Sequence, residues 1–226
     1  MRMLAWVGLL CVGAASAAGA LDALSQRDAV AGLKEALALS AGNAIGKLGA
    51  ADGFLGDPQV RIALPGRLQD AQRLLQRIGL GAQAEELVTT MNRAAEAAVL
   101  QARPLLIDSA KQMTVQDAKS ILTGGDDAGT QYFRRTVSDR LRAKFLPIVK
   151  QSTDRLQVAT QYNALAGQAS RLGLVDAKDA SIESYVTDRA LDGLFLTMAN
   201  EERAIRKDPV GQASRLLQKV FGALKR

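Results

Sequence analysis

The sequence predicts an all-α fold, an irregular bundle of about seven to nine helices in a single domain. Alanine, leucine and other strong helix formers dominate the 226-residue chain. Apolar residues recur at the three-and-four spacing of amphipathic helices. β-branched runs that alternate with polar residues are nearly absent, and the one short strand candidate is 60–64. The chain is long enough to bury one sizeable core without disulfides or metals.

The first residues have the three-part pattern of a secretory signal peptide. Arg2 precedes an apolar run over 3–12, which small residues follow up to Ala17. We predict cleavage after Ala17, which gives a leader of 1–17 and a helical domain of 18–226. The mature protein is then expected in the periplasm or outside the cell.

The apolar run at the N-terminus is too short for a membrane anchor. Charges at Asp22 and Arg27 follow it closely, whereas a spanning helix needs roughly 20 apolar residues. No transmembrane span is therefore expected once the leader is removed. Leu10 stands where a lipoprotein signal has a small residue, which argues against lipid anchoring at Cys11.

The composition argues against several classes of site. Histidine is absent and Cys11 is the only cysteine, so the mature chain lacks the commonest general base, the commonest metal ligand and any thiol. We therefore assign no catalytic residue, metal or cofactor. The net charge of +6 favours an anionic envelope component or a protein as partner. The scarcity of aromatic residues argues against nucleic acid.

In the first half of the domain, turn residues separate four predicted helices. Ser25 begins the first helix and Gly49 ends it. A loop over 49–65 holds Phe54, which is expected to pin the loop to the core. Pro104 is expected to end or kink the third helix. These helices are predicted over about 25–48, 65–78, 82–103 and 105–113.

The second half of the domain has clearer signals at the helix ends. Thr114 can cap a short helix, with Asp117 in the capping-box position. Asp126 or Asp127 can cap the next helix, a long one that Pro147 is expected to kink. The predicted helices are about 115–122, a long one through Ile148, 158–172, 181–206 and a last one from 209.

The helix over 181–206 places one carboxylate, Glu201, within its apolar face. A buried carboxylate needs a partner or takes a raised pKa, because uncompensated burial of charge is costly. Glu201 is therefore a candidate general acid or ligand. The alternative is an ion pair, with Arg93 or Arg134 as the expected partner, or a side chain that reaches the domain edge.

Two further pairs of polar residues each share a helix face. Asp188 and Asp192 lie one turn apart, a spacing that suits Mg²⁺ or Ca²⁺, but no glycine-containing calcium loop supplies the remaining ligands. Asn92 and Glu96 flank the apolar face of the third helix among small residues. This pattern predicts close helix packing with hydrogen bonds across it.

Several short strings run through the mature chain. Among them are Asp52-Gly53-Phe54-Leu55, Met91-Asn92-Arg93-Ala94-Ala95-Glu96, Thr130-Gln131-Tyr132-Phe133, Tyr185-Val186-Thr187-Asp188, Ala190-Leu191-Asp192-Gly193-Leu194-Phe195 and Ile205-Arg206-Lys207-Asp208-Pro209. Together they resemble the bacterial exported family called domain of unknown function 4197. The resemblance implies an exported helical domain and supplies no reaction, ligand or catalytic residue.

The first functional hypothesis is a non-catalytic binding or interaction protein of the periplasm or envelope. Its contacts with an anionic surface are expected from basic residues near the C-terminus. These are Arg206, Lys207, Arg215, Lys219, Lys225 and Arg226. A variant of this hypothesis is peripheral membrane binding through the same basic C-terminal helix.

The rival hypothesis is a carboxylate-based enzyme or a small-ligand-binding protein. Its polar pocket, or a buried network in its place, would draw on Asn92, Arg93, Glu96, Asp117, Gln131, Tyr132, Asp188, Asp192 and Glu201. The two hypotheses differ in geometry. The rival requires these side chains to line one concave pocket, whereas the first expects them to tie helices together.

Overall fold

The computed structural model describes residues 26–65, 81–171 and 181–208. These ranges contain seven helices: α1 (Gln26–Leu48), α2 (Gly81–Val99), α3 (Ala102–Gln112), α4 (Val115–Leu122), α5 (Ala128–Thr153), α6 (Gln157–Arg171) and α7 (Ile182–Lys207). The described ranges contain no strand, so the all-α prediction is confirmed. The helices predicted over 65–78 and from 209 lie outside the described residues.

The two longest helices, α5 and α7, form the centre of the bundle and run antiparallel. Thr130 at the start of α5 contacts Glu202 near the end of α7, while Thr153 contacts Glu183 at the opposite end. Helix α2 packs against both, and α1 packs against α7 and α3. One continuous core joins these helices, and its largest fully buried side chains include Phe54, Phe133, Phe145 and Phe195.

Local sequence signals explain some of the helix ends. Thr114 and Asp117 form the predicted capping box of α4. The prediction for Pro104 was wrong: α2 ends at Val99, and Pro104 is the third residue of α3. Proline is tolerated there because the first N–H groups of a helix have no intrahelical partner.

The loop after α1 is held in the core by Phe54, as predicted. The Phe54 side chain is fully buried. Its ring lies against Gly193 of α7, where an added Cβ would be only 2.7 Å from the ring. Asp52 in the same loop adopts a left-handed conformation with φ of 63°. The strand candidate 60–64 belongs to this loop.

None of the described helices combines the length and apolar character that crossing a membrane requires.

Candidate functional site

The motif around Asn92 on α2 holds the loop that follows α1. The Asn92 side chain is buried, and its Oδ1 accepts a hydrogen bond of 2.8 Å from the backbone N–H of Ile62. Its Nδ2 donates to the backbone oxygens of Ile62 at 2.9 Å and Val88 at 2.7 Å. The amide therefore pairs with both polar groups of one loop residue, as a neighbouring β-strand would. This pairing leaves no donor hydrogen of the amide for a ligand.

Glu96 and Arg93 fix the other end of the same loop. Glu96 is buried, and its Oε1 accepts hydrogen bonds from the backbone N–H groups of Phe54 at 3.2 Å and Leu55 at 3.3 Å. Its Oε2 binds Arg93 Nη1 at 2.7 Å, and Arg93 Nη2 binds Asp52 at 2.7 Å. The hydrogen bond that Arg93 donates to Glu96 is the main cause that raises the pKa of Arg93 above its usual value.

A second buried carboxylate, Glu202, lies at the N-terminus of α5. It accepts hydrogen bonds from the backbone N–H groups of Gly129 at 3.0 Å and Thr130 at 2.8 Å, and from the Thr130 hydroxyl at 2.9 Å. Arg206, one turn further along α7, binds Glu202 at 3.0 Å and also donates to the Ile121 carbonyl oxygen. Glu202 thus supplies the negative charge that a helix N-terminus favours.

A third buried carboxylate, Glu183, joins the far ends of α5, α6 and α7. It accepts hydrogen bonds from the Thr153 hydroxyl at 3.2 Å and from the Asn163 amide at 2.9 and 3.0 Å. The amide oxygen of Asn163 in turn accepts the backbone N–H of Ile182 at 2.8 Å. Glu183 therefore ties α6 to the first turn of α7.

Asp188 and Asp192 lie on the surface between α5 and α7. Asp192 pairs with Arg134 at 3.4 Å and with Arg189 at 3.1 Å, while Asp188 pairs with Arg142. Arginine partners therefore occupy both carboxylates. Within the described ranges, no three His, Cys, Asp or Glu side chains come together in a group that could hold a metal ion.

The other predicted polar residues serve separate local contacts. Asp117 accepts from the hydroxyl and backbone N–H of Thr114, and these hydrogen bonds lower the pKa of Asp117. Gln131 is exposed and donates to Asp127 at 3.1 Å. The Tyr132 hydroxyl donates to the Ser109 carbonyl oxygen at 3.0 Å, which links α5 to α3.

Comparison with known proteins adds the family. The model of the family described as "Protein of unknown function (DUF4197)" matches residues 23–222. The chain belongs to this family. No curated protein and no solved structure gave a significant match. The resemblance drawn from the short strings is therefore confirmed, and the DUF4197 description itself carries no activity.

In this DUF4197 chain the nine polar candidates do not line one pocket. Asn92, Arg93 and Glu96 of α2 lie together against the loop that follows α1. Asp188 and Asp192 of α7 lie together on the surface. Asp117, Gln131, Tyr132 and Glu201 each lie elsewhere. A shallow depression of about 280 Å³ beside α2 has a different lining: Leu55, Arg61, Glu85, Val88 and Thr89.

Glu201 is not buried within the apolar face of α7, and of the interpretations drawn from the sequence, a side chain that reaches the domain edge fits the structure. Glu201 is partly exposed and accepts a hydrogen bond from Asn43 of α1 at 3.1 Å, while its neighbour Glu202 is buried. The expected ion-pair partners are engaged elsewhere, Arg93 with Glu96 and Arg134 with Asp192. The apolar face winds around the 26-residue helix. A single projection of the whole helix therefore assigns residues of the last turns to the wrong face.

The anionic contacts predicted from the C-terminal basic residues also need a correction. The Arg206 side chain is only 12% exposed because it pairs with Glu202 inside the bundle, so it is not a surface contact. Lys207 is exposed. Four of the predicted contacts lie outside the described residues: Arg215, Lys219, Lys225 and Arg226.

Two structural carboxylates were missed by the sequence reasoning, Glu202 and Glu183. For Glu202 the sequence held only an incomplete signal: Gly129, near the predicted start of α5, is small enough for a side chain from another helix to approach. The sequence does not identify Glu202 as the residue that approaches it. Glu183 had a weaker signal, an acidic residue in the first turn of its helix.

Proposed function

We propose that this chain is a non-catalytic interaction protein of the bacterial cell envelope that binds an anionic partner through the outer face of α5. The observation that carries the proposal is the charge of this helix. α5 contains six basic residues, Arg134, Arg135, Arg140, Arg142, Lys144 and Lys150, against one acidic residue, Asp139. Such a surplus on one helix attracts anionic partners.

The polar side chains of the family motifs support a non-catalytic role. Asn92 and Glu96 of these motifs, and the buried carboxylate Glu202, each receive hydrogen bonds from backbone N–H groups of the fold. Carboxylates held in this way are acceptors already used by the protein, so they are poorly placed to exchange a proton with a substrate. Their geometry supports a role in joining loops and helices.

The accessible part of α5 supports the binding role. Arg135, Arg140 and Lys144 are exposed, and Asp139 is the acidic residue among them. Along the helix axis Arg135 lies about 7.5 Å from Arg140, and Arg140 lies about 6 Å from Lys144, so neighbouring cations are separated by distances comparable to the screening length of about 8 Å. A partner with several negative charges would therefore sense them together.

The proposal is tested by measuring binding of the mature protein to two anionic probes. One probe is a fluorescein-labelled oligoglutamate peptide in which serine residues separate the glutamates, so that neutral side chains alternate with carboxylates, followed by anisotropy. The other is vesicles of phosphatidylcholine with phosphatidylglycerol, followed by co-sedimentation. We expect saturable binding to at least one probe at low salt and weaker binding at about 0.15 M ionic strength. Absence of binding to both probes at low salt would contradict the proposal.

Export is part of the proposal and has its own test. The full chain is produced in a Gram-negative host with a C-terminal tag, and the protein released by osmotic shock is sequenced from its N-terminus. The proposal expects a start at Ala18, after removal of 1–17. Recovery of the chain in the cytosol with Met1 intact would contradict the envelope location.

A further inference from the structure

Charged side chains from α5 and α7 meet along the line where the two helices pack. Arg134 and Arg142 come from α5, and Arg189 comes from α7. They surround Asp188 and Asp192, with Asp192 shared between Arg134 at 3.4 Å and Arg189 at 3.1 Å. We call these three arginines with their two aspartates the arginine ridge.

Two guanidinium groups of the arginine ridge rest on aromatic rings. The Arg134 guanidinium lies 4.8 Å from the centre of the Phe195 ring, and that of Arg189 lies 5.8 Å from the Tyr185 ring. The side chains of both arginines are still almost half exposed, at 45% and 46%. The rings and Asp192 restrict the orientation of the guanidiniums, so less freedom is lost when a ligand binds them.

The arginine ridge has N–H donors that its ion pairs do not use, and it has a net positive charge. Each guanidinium carries five N–H donors, and a single carboxylate oxygen uses only part of them. Three guanidiniums face two carboxylates, which leaves one net positive charge. Two further exposed cations of the same helix, Arg135 and Arg140, add to this potential. The arrangement suits a ligand whose carboxylates bind in the plane of a guanidinium.

We infer that the arginine ridge is a docking site for a carboxylate-rich segment of a protein partner. This inference rests on the proposed function, because it assigns the anionic partner a class and a place. Arginine and tyrosine are enriched in protein interfaces, whereas lysine is depleted. Leu196 follows Asp192 by about one turn and is 39% exposed, so it offers apolar contact area beside the ridge.

The aspartates of the arginine ridge favour a protein over a membrane surface. A uniformly anionic bilayer would place negative charge opposite Asp188 and Asp192 as well as opposite the arginines, which weakens binding. A polypeptide can place its carboxylates at the guanidiniums and leave neutral groups at the aspartates. The alternating charges of the ridge therefore give specificity for a patterned partner.

The test compares matched double variants of the mature protein against the oligoglutamate peptide. The ridge variant is Arg134→Gln with Arg189→Gln. The control is Lys119→Gln with Arg155→Gln, which removes the same charge from exposed positions elsewhere. We expect the ridge variant to bind at least about tenfold more weakly and the control to change by less than about twofold. Equal weakening in both variants would overturn the inference.

A second variant separates guanidinium geometry from charge. Arg134→Lys with Arg189→Lys keeps the net charge but removes the planar pairs of N–H donors. We expect it to bind the peptide nearly as weakly as the ridge variant, and binding equal to wild type would overturn the site. Exposed ion pairs contribute little to stability, so circular dichroism is expected to show all variants folded.

The vesicle measurement separates failure of the inference from failure of the proposed function. Binding to phosphatidylglycerol vesicles without binding to oligoglutamate would overturn the protein partner and leave the anionic function standing. Binding to neither probe would overturn both. Binding to oligoglutamate that the ridge variant loses, with vesicle binding weak in every variant, is the result that the inference expects.

Discussion

Glu202 caps α5 from another helix. Its carboxylate receives two backbone N–H groups and a hydroxyl at the start of α5, while Arg206 balances its charge. Hydrogen bonds to a charged group in a buried site are strong. Removal of one partner leaves the other group buried without compensation, which destabilises the fold. Glu202 is therefore expected to matter more for stability than any single exposed ion pair in the described ranges.

We predict that Glu202→Gln destabilises the protein by about 3 kcal/mol, because the amide loses the charge that Arg206 and the α5 N-terminus require. Urea denaturation followed by circular dichroism measures the loss. Glu201→Gln is the matched control, since the amide oxygen can still accept from Asn43. It is expected to change stability by less than about 0.5 kcal/mol. Equal effects at the two positions would show that Glu202 is not the structural carboxylate.

The amino-acid sequence predicted residue types in these contacts better than their partners. Asn92 and Glu96 were expected to make hydrogen bonds across a packed surface, and the structure gives them such bonds. Their partner is a loop backbone and not another helix. These partners are backbone N–H groups, which nearly every residue has. No pattern of residue types therefore predicts that Asn92 binds Ile62 or that Glu96 binds Phe54.

At the scale of a single helix, the two helix starts of α4 and α5 show when nearby residues are enough to predict a cap. The capping box of α4 was predicted because all its atoms come from residues three apart. The α5 N-terminus was assigned to Asp126 or Asp127, but Asp127 makes no side-chain cap and Glu202 does the capping. Contacts between residues more than 70 positions apart follow from packing, which local spacing does not encode.

Glycines in two helices should respond in opposite ways to alanine. Gly42 in the interior of α1 has no atom within 4 Å of an added Cβ, so Gly42→Ala is expected to stabilise by about 0.5 to 1 kcal/mol. At Gly129 an added Cβ would overlap Leu37 and lie 3.1 Å from Glu202, so Gly129→Ala is expected to destabilise by about 2 kcal/mol. Chemical denaturation measures both, and a stabilising Gly129→Ala would contradict the close approach of Leu37 and Glu202 to Gly129.

The capping box of α4 predicts a pH dependence. Thr114 lowers the pKa of Asp117 below its ordinary 3.8, so Asp117 stabilises the fold above that value and loses this effect as the pH falls through its folded pKa. The stability difference between wild type and Asp117→Asn should be constant above about pH 5 and shrink below about pH 4. Urea midpoints across this range measure it.

The hydroxyl of Thr114 provides the control for this pH dependence. Thr114→Ser keeps the donor to Asp117, so its stability should follow the wild-type curve. A stability difference for Asp117→Asn that stays the same down to about pH 2 would contradict the account of the cap, because protonated Asp117 could no longer act as a charged acceptor.

At the scale of the whole molecule, the fold class was predictable and the site was not. Helical spacing identified the buried faces of α5 and α7, including Phe133, Val137, Leu194 and Met198. The winding of the apolar face on α7 could not be predicted from the same spacing. The buried carboxylate was therefore assigned to Glu201, whereas in the structure it is Glu202. The antiparallel packing that brings Arg134 to Asp192 depends on helix order in space, which composition and periodicity leave open.

The central claim is that the polar family motifs hold the fold together and do not form a catalytic site. Asn92→Asp tests it most directly, because Asp cannot donate to the carbonyl oxygens of Ile62 and Val88. The control is Asn200→Asp, at an exposed position where the oxygen that binds Arg203 is retained.

The measurement is the free energy of unfolding of both variants in urea. We predict a loss of about 2 to 3 kcal/mol for Asn92→Asp and less than about 0.5 kcal/mol for the control. Residues of an active site are commonly kept at the expense of stability, so their replacement leaves stability unchanged or raises it. Unchanged or increased stability in Asn92→Asp would contradict the structural role of the motif and favour a functional site at α2.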